Sequence, residues 1–354
     1  MSNAGTGNRT ARSRYGMIGT VLSLCAAAAV LWAMTNAPNP VRPVPFDQVL
    51  GTPSNPQVKQ YRPEVSMQMA WTETDSDLIV RQASGTIVRW TPDREQMRPI
   101  ATTESVFAYC PAENRLLVNM ANTAVLLSLD TGAFLRISDR RYDHAAFSQD
   151  CSVLAISRED ESFVRLWQVG RGWTSVTTDH PVRNSLVLSR DGSVLAASGE
   201  AETPGNGMVL ELFDIGSGTT EPTARVSGPS IAVGDWSMAF SADGSGVLLA
   251  SLVLGQTGLK RITSSDGLVR WGRDSADRNW VSALAASPDG ILLATGDLDG
   301  MLQIWEVDRG VIVAEFDAAQ PIESLSFSND GRRLAVGLWN GTIGIVGADA
   351  LIGH

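Results

Sequence analysis

The chain has 354 residues, of which 44% are hydrophobic and 19% are charged, with 33 Gly and 16 Pro. This composition excludes a long disordered chain and fits either two ordinary domains or one large repeat domain. The net charge of −10 would repel phosphate backbones, so we expect no nucleic-acid partner. Three Cys and three His are too few for a disulfide framework or a zinc site with several ligands.

Residues 15–37 carry no charged side chain. As a helix they would be roughly 34 Å long, enough to cross a hydrocarbon core of about 30 Å. The tail before them, residues 1–14, contains three Arg and no acidic residue. The positive-inside rule therefore predicts a single-pass transmembrane anchor with a cytoplasmic N-terminus, and an extracytoplasmic body that is periplasmic if the source is bacterial.

Two alternatives to a retained anchor remain open. A signal peptide cleaved after Ala37 would place Pro38 directly behind the cut, which disfavours it, although a cut inside the Ala26–Ala29 run is also conceivable. A lipoprotein signal at Cys25 would place the large Leu24 before the acylated residue.

The predicted anchor helix has small residues spaced four apart on one face, which would let a second transmembrane helix approach closely. They are Gly19, Ser23 and Ala27.

Residues 38–56 are rich in proline. Proline at this density cannot hold a helix and favours extended geometry. We interpret the segment as a stiff spacer between the membrane and a folded body.

The body, residues 57–354, is an internal repeat. Seven segments share an apolar strand, a polar turn and a second apolar strand, and five of them contain Ser-x-Asp followed by Gly or Cys. Their aromatic or equivalent positions are Trp71, Tyr109, Phe147, Leu188, Phe240, Ala286 and Phe327. A period of about 40 residues indicates a propeller or a solenoid.

The turns and the strand count decide between those two architectures. Each Asp-Gly supplies the positive-φ turn of a tight hairpin. A third strand follows, such as the one ending at Trp305, and then a fourth, such as 311–316. Four short strands per repeat, without a helical period, predict the blades of an all-β propeller.

The order Phe-Ser-x-Asp-Gly, then Leu-Ala, then Gly-x-x-x-x-Trp, resembles the Trp-Asp (WD) repeat β-propellers. Seven copies imply a seven-bladed propeller. The Trp-Asp dipeptide itself is absent and is replaced by pairs such as Trp167-Gln168 and Trp305-Glu306, and Gly-His survives only as Asp179-His180. The buried His–Asp–Ser–Trp network of the family is therefore mostly missing.

The seventh unit stops after its third strand, 343–346. In the family that it resembles, an N-terminal strand completes the last blade. The strand-like segment 57–62 is the one that we expect to pair beside residues 341–347.

No catalytic, cofactor-binding or metal-binding residues are expected. The innermost strands are apolar, the three His lie far apart, and neither a P-loop nor a Gly-x-Ser-x-Gly elbow occurs. Cys110 and Cys151 lie near the same ends of neighbouring units and would pair in an oxidising compartment, but buried or free thiols are the favoured interpretation.

Two function classes remain: a non-catalytic scaffold that presents its loops to a protein partner or a membrane complex, and a small-molecule binder or enzyme that uses the central channel. The resemblance and the apolar inner strands favour the scaffold. Lengthened loops at 200–207, 228–236 and 252–258 predict a docking face, on which large side chains suited to interfaces would lie. They are Trp236, Arg278, Trp280 and Trp339.

Overall fold

The computed structural model describes residues 42–45, 48–50, 68–82, 84–103, 107–200, 208–228, 238–253, 256–274 and 281–352. The chain divides into two units, Met1–Val41 and Arg42–His354, and all described residues belong to the second. The predicted anchor at 15–37, with Gly19, Ser23 and Ala27, lies outside the described residues. Among the residues that are described, no helix has the length and apolar character needed to span a bilayer.

Seven sheets follow one another along the chain, as the all-β propeller prediction requires, and all of their described strand pairs but one are antiparallel. Each strand is labelled a to d from the innermost to the outermost in its blade. Two short strands come first, and blades 1 to 3 follow: β1 (Arg42–Pro43), β2 (Gln48–Leu50); β3 (Gln68–Trp71), β4 (Leu78–Arg81), β5 (Thr86–Thr91), β6 (Gln96–Thr102); β7 (Phe107–Cys110), β8 (Arg115–Met120), β9 (Thr123–Ser128), β10 (Phe134–Ser138); β11 (His144–Phe147), β12 (Val153–Ser157), β13 (Phe163–Gln168), β14 (Gly172–Thr177).

Blades 4 to 7 repeat the pattern, and a short helix ends the described chain. Their elements are β15 (Val182–Leu188), β16 (Val194–Glu200), β17 (Met208–Asp214), β18 (Ala224–Gly228); β19 (Met238–Phe240), β20 (Gly246–Val253), β21 (Gln256–Thr263), β22 (Val269–Asp274); β23 (Val281–Ala286), β24 (Leu292–Asp297), β25 (Met301–Glu306), β26 (Val311–Asp317); β27 (Ile322–Phe327), β28 (Arg333–Leu338), β29 (Ile343–Gly347) and α1 (Ala348–Ile352).

The last blade is completed by an N-terminal strand, but not by the one expected. β2 pairs antiparallel with β29, with Val49 opposite Gly344. The predicted closing segment, 57–62, lies outside the described residues. Residues 46–52 form a stretch without proline between Pro45 and Pro53, so all of their N–H groups are available for a sheet ladder.

The interpretation of 38–56 as a spacer is therefore wrong for residues 42–45 and 48–50. β1 pairs in parallel with the outer strand β26 and makes blade 6 a five-stranded sheet. Val44, which directly follows β1, is buried and donates its N–H to the Asp317 carbonyl at 3.1 Å. The propeller thus already includes β1 and β2, which precede residue 57.

One apolar cluster fills each junction between neighbouring blades among the described residues. The clusters consist of the alternating inward side chains of facing strands, which is the burial that the apolar periodicity predicts. The cluster between blades 1 and 7 contains Trp71, Trp90 and Ile345. Because it joins the first blade to the last, the ring is closed.

Polar contacts reinforce that closing junction. The buried Asp75 carboxylate accepts hydrogen bonds from the Asn329 N–H (2.7 Å), the Asn329 Nδ2 (2.8 Å) and the Asp330 N–H (2.9 Å). The Trp71 Nε1 donates to the Ser326 carbonyl at 2.9 Å. The Arg333 guanidinium lies 4.5 Å from the centre of the Trp71 ring and donates to the Asp75 carbonyl.

Part of the predicted loop lengthening is strand instead. Residues 252–258 were expected to form a long loop, yet β20 and β21 extend through them until Val253 faces Gln256. The extra residues therefore lengthen a hairpin, because each added pair keeps its backbone groups in the ladder. The other two lengthened segments lie mostly outside the described residues.

Candidate functional site

The hairpins between strands a and b lie at one end of the blades, which we call the turn face. In five blades a Ser Oγ donates to the Asp two residues on at 2.5–2.8 Å, and accepts the N–H five residues on at 2.9 Å. These five Ser are Ser148, Ser189, Ser241, Ser287 and Ser328. The predicted Asp-Gly turns are confirmed, with φ near +70° at Gly192 and Gly244.

Hydrogen bonds at these turns favour the ionised form of Asp243 and Asp191. Hydrogen bonds from the side chains of Ser241 and Ser245 lower the pKa of Asp243 to about 2. The pKa of Asp191 is lowered mainly by the backbone N–H of Ser193. The Ser-x-Asp motif that identifies the repeat thus stabilises the turn, because its carboxylates accept hydrogen bonds from donors of the same turn.

A cavity of about 470 Å³ opens at the turn face, where the a–b turns of five blades surround the channel mouth. Glu73, Asp150 and Asp191 contribute carboxylates to its lining. The Gln149 Nε2 donates to the Asn329 Oδ1 at 3.3 Å, which joins blades 3 and 7. This contact links the turns of two blades that are not neighbours along the ring.

Cys110 and Cys151 form a disulfide with a Cα–Cα distance of 5.6 Å, so the expectation of free thiols is wrong. A Cβ built on Gly192 would lie 3.1 Å from the Ser148 Cβ, and one built on Gly244 would lie 3.4 Å from the Ser189 Cβ, so these two turn glycines face the turn serine of the preceding blade. In blade 3 Cys151 occupies the glycine position with φ +60°, and in blade 2 Cys110 occupies the serine position. This substitution at both positions was the sequence signal for pairing.

The opposite end of the blades, with the b–c loops and the connections between blades, is the loop face. The inner strands were predicted to be plain apolar core, but they carry buried polar residues toward this face, including Ser185, Ser282 and Glu323. Burial lowers the pKa of His144, whose Nε2 has no hydrogen-bond partner among the described residues. The apolar pattern of the sequence therefore predicted the apolar part of each inner strand and missed its buried polar residues.

Buried polar groups on the middle strands of the blades also form hydrogen bonds. The Asn119 Nδ2 donates to the Tyr142 carbonyl at 2.6 Å, and the Asn119 Oδ1 accepts the Tyr142 N–H at 3.2 Å. In blade 6 the Trp305 Nε1 donates to the Thr295 Oγ1 at 2.9 Å, a bond of the hydroxyl–Trp kind that the His–Asp–Ser–Trp network contains. The Asn119 bonds therefore fix the connection that contains Tyr142, whereas the Trp305 bond joins two strands of one blade.

In blade 4, charged side chains hold the connection that leads from blade 3 to blade 4. The buried Glu211 carboxylate accepts the Asp179 N–H at 3.2 Å and the Arg225 Nε at 3.2 Å. Burial raises the pKa of Glu211, and the Asp179 N–H and Arg225 oppose this rise.

Only one of the four predicted docking residues can be located. Trp339 is half-buried, follows β28, and donates its N–H to the Pro321 carbonyl at 2.9 Å. Trp236, Arg278 and Trp280 lie outside the described residues, so their convergence on one face remains a prediction.

A second cavity, of about 410 Å³, lies on the loop face between blades 2 and 3. Its charged lining was not anticipated from the sequence. The signal was the run Arg140-Arg141-Tyr142 in one connection, together with Arg158 in the following b–c loop. No group of three or more His, Cys, Asp or Glu side chains suited to a metal ion occurs in the described part of the chain.

The chain is similar to one family model and to several known proteins. The model of the "WD domain, G-beta repeat" family matches residues 274–306 and 310–345. The chain is 24% identical to the WD repeat-containing protein VIP3 of Arabidopsis thaliana over 193 residues, covering 51% of this chain and 57% of the relative. It is 29% identical to Autophagy-related protein 16 of Arabidopsis thaliana over 195 residues, covering 53% of this chain but 35% of the relative. The chain thus spans less than two thirds of either relative.

Solved structures show the same fold. A chain of the mitotic checkpoint complex matches with a TM-score of 0.67 at 14% identity, covering 86% of this chain and 95% of that chain. A chain of hydrazine synthase from Kuenenia stuttgartiensis matches with a TM-score of 0.62 at 14% identity, covering 84% and 99%. The chain is a seven-bladed β-propeller that carries WD40 repeats in its last two blades.

Proposed function

We propose that this protein is a non-catalytic scaffold whose propeller binds a protein partner through its loop face. The closed ring of seven blades with WD40 repeats is the observation that carries the proposal. The similarity to a chain of the mitotic checkpoint complex supports it, since the name of that protein describes a multi-protein assembly. The Asp carboxylates of the Ser-x-Asp turns support it as well, because they accept hydrogen bonds from the chain's own turns.

The partner would dock on the loop face near blades 4 to 7. Trp236, Arg278, Trp280 and Trp339 are the proposed contacts, because Trp and Arg contribute most to interface energies. The half-buried Trp339 keeps part of its ring accessible to such a partner.

We further propose that residues 15–37 anchor the propeller in a membrane, with residues 1–14 in the cytoplasm and the propeller outside it. The uncharged run and the preceding Arg residues support this arrangement. The Cys110–Cys151 disulfide supports it independently, because such bonds persist in oxidising compartments and are rare in the cytosol. A membrane complex would then be a natural partner, approached through the face of Gly19, Ser23 and Ala27.

Affinity purification of the full chain in mild detergent tests the scaffold role. A stoichiometric protein companion is expected, and a Trp280→Ala/Trp339→Ala double variant should lose it. Phe134→Ala/Leu135→Ala is a matched control, because these side chains are 73% and 61% exposed at the start of β10, next to a c–d turn at the other face. An undiminished companion in the Trp variant would exclude this part of the loop face.

The second candidate is a small-molecule binder or enzyme that uses the central channel. The 470 Å³ cavity at the channel mouth, with its polar lining, is the observation that favours it. A chain that purifies without a companion and is stabilised against heat by a member of a metabolite library would replace the scaffold proposal with this one.

A further inference from the structure

The cleft of about 410 Å³ on the loop face combines residues from two loops and a strand. The connection from blade 2 to blade 3 contributes Arg140 and Tyr142. The b–c loop of blade 3 contributes Arg158 and Glu161, and β13 contributes Arg165. Three guanidinium groups therefore line one cleft in a protein whose net charge is −10.

Arg165 is held by neutral groups. Its Nη1 donates to the Tyr142 Oη at 3.0 Å, and its guanidinium carbon lies 4.9 Å from the centre of the Trp173 ring. No carboxylate within 4 Å pairs with Arg165 in the part of the chain that the structure describes. Its orientation is thus fixed while its charge is left without an internal counter-ion.

Tyr142 adds an unused donor. Its side chain is buried, and its backbone is clamped by both amide atoms of Asn119. Since its hydroxyl oxygen accepts the Arg165 bond, the hydroxyl proton is left to donate, and no described residue accepts it. At the wall of the cleft, this hydroxyl is therefore a second donor beside Arg165 for a ligand that brings an acceptor.

The remaining charges compensate each other only partly. The Glu161 carboxylate is 3.6 Å from Arg158 and 3.7 Å from Arg140, longer than the roughly 2.7–2.9 Å of a strong charged hydrogen bond. Arg158 also pairs with the exposed Asp160 at 2.8 Å. Asp139, the other carboxylate in the lining, is 79% exposed and pairs with Arg136 instead.

We propose that this cleft binds a carboxylate side chain of an acidic segment in a protein partner, an inference that rests on the proposed scaffold function. Arg165 and the Tyr142 hydroxyl are the fixed donors, and Arg140 and Arg158 turn from Glu161 toward the incoming carboxylate. A planar guanidinium matches a carboxylate with two parallel hydrogen bonds. Because the rest of the protein is acidic, the complementary partner is a short acidic segment and not a broadly acidic surface.

Fluorescence anisotropy of a labelled hexaglutamate peptide against the full chain in detergent tests the inference. Hexaglutamate should bind at about 50 mM salt, where screening is weak, and hexaglutamine should not. Arg165→Gln should weaken binding about tenfold or more, and Tyr142→Phe about fivefold, because each removes a donor to a charged group. Arg171→Gln, in the exposed c–d turn of the same blade, should bind as the parent does.

Equal hexaglutamate affinity in Arg165→Gln and the parent would overturn the inference. Arg165→Lys keeps the positive charge but lacks the planar guanidinium, and it should retain part of the affinity for hexaglutamate. This second variant keeps the test decisive if Arg165→Gln fails to fold. Free glutarate that binds as tightly as the peptide would assign the cleft to a small dicarboxylate and overturn the partner segment. If the companion still co-purifies with Arg165→Gln, the scaffold role stands and this inference fails.

Discussion

Asp75 and Asp308 show at the scale of single residues how burial decides what a carboxylate contributes. Asp75 is 7% exposed and accepts three hydrogen bonds from blade 7. The Asp308 carboxylate accepts from the Arg261 Nη1 at 2.9 Å, but its side chain is 83% exposed. Water and salt screen the second contact and not the first.

Asp75→Ala should therefore lower the free energy of unfolding by about 3 kcal/mol, since it leaves buried donors without an acceptor. Asp308→Ala, the matched control, should change it by less than about 1 kcal/mol. Thermal or denaturant unfolding followed by circular dichroism measures both. Melting curves that coincide for the two variants would contradict the role given to Asp75.

The turn carboxylates predict an acid-sensitive region of the stability curve. The pKa of Asp243 is about 2 in the folded protein and about 3.9 in an unfolded chain. Because the folded value is the lower one, the stabilisation is complete above about pH 4 and is lost as the pH falls toward about 2. As the pH falls over that range, the melting temperature of Asp243→Asn should therefore decrease less than that of the parent.

A second carboxylate in blade 5 provides the control for that experiment. Asp266 accepts the Leu268 N–H in the c–d turn and bonds no turn serine. Asp266→Asn should keep the acid sensitivity of the parent. A parent and an Asp243→Asn variant with parallel curves would show that the Ser241–Asp243 pair does not stabilise the ionised form.

At the scale of elements, one N-terminal strand extends blade 6 and the other completes blade 7, whose remaining strands lie near the opposite end of the chain. β1 lies along β26, and β2 lies along β29. Without them the outer edges of blades 6 and 7 would expose unpaired backbone groups, which favour aggregation.

Replacing residues 48–50 by Gly-Ser-Gly should lower the melting temperature and increase aggregation, because glycine and serine weaken the strand that closes blade 7. The same replacement at residues 57–59 should be tolerated, as the described closing strand does not include them. Differential scanning calorimetry and light scattering measure both effects. A larger decrease in melting temperature from the replacement at 57–59 would indicate that 57–62 closes the blade.

The disulfide acts between blades 2 and 3. Its two Cys are 41 residues apart, and constraining a loop of that length in the unfolded chain is worth about 4 kcal/mol. A Cys110→Ser/Cys151→Gly variant restores the residues that the other turns carry, and its Gly relieves the positive φ. The parent should melt several degrees lower with reductant, whereas the variant should not respond to reductant. A parent that ignores reductant would contradict the bond.

At the scale of the whole molecule, the topology proposed for the membrane can be measured on intact cells. Thr219→Cys, exposed in a c–d turn of blade 4, should react with an impermeant maleimide before lysis. Asn3→Cys, in the N-terminal tail, should react only after lysis. The reverse pattern would place the propeller in the cytoplasm.

The amino-acid sequence by itself determined the number of blades, the hairpins and the all-β class. These features depend on local rules: period-2 alternation buries one face of each strand, and Asp-Gly sets a positive-φ turn between neighbours. The Ser-x-Asp motif is local as well, because its hydrogen bonds join residues no more than five apart. Its repeats therefore locate the turns from the residues alone.

Only the tertiary structure decided which strand closes the ring, that Cys110 meets Cys151, and that three Arg converge on one cleft. Each of these depends on groups far apart in the chain or on neighbouring blades. Both 48–50 and 57–62 have strand-like sequences, and only the position of the unpaired edge of β29 distinguishes them. No single motif marked the cleft, because Arg140 and Tyr142 lie in one connection, Arg158 in the following b–c loop and Arg165 on β13.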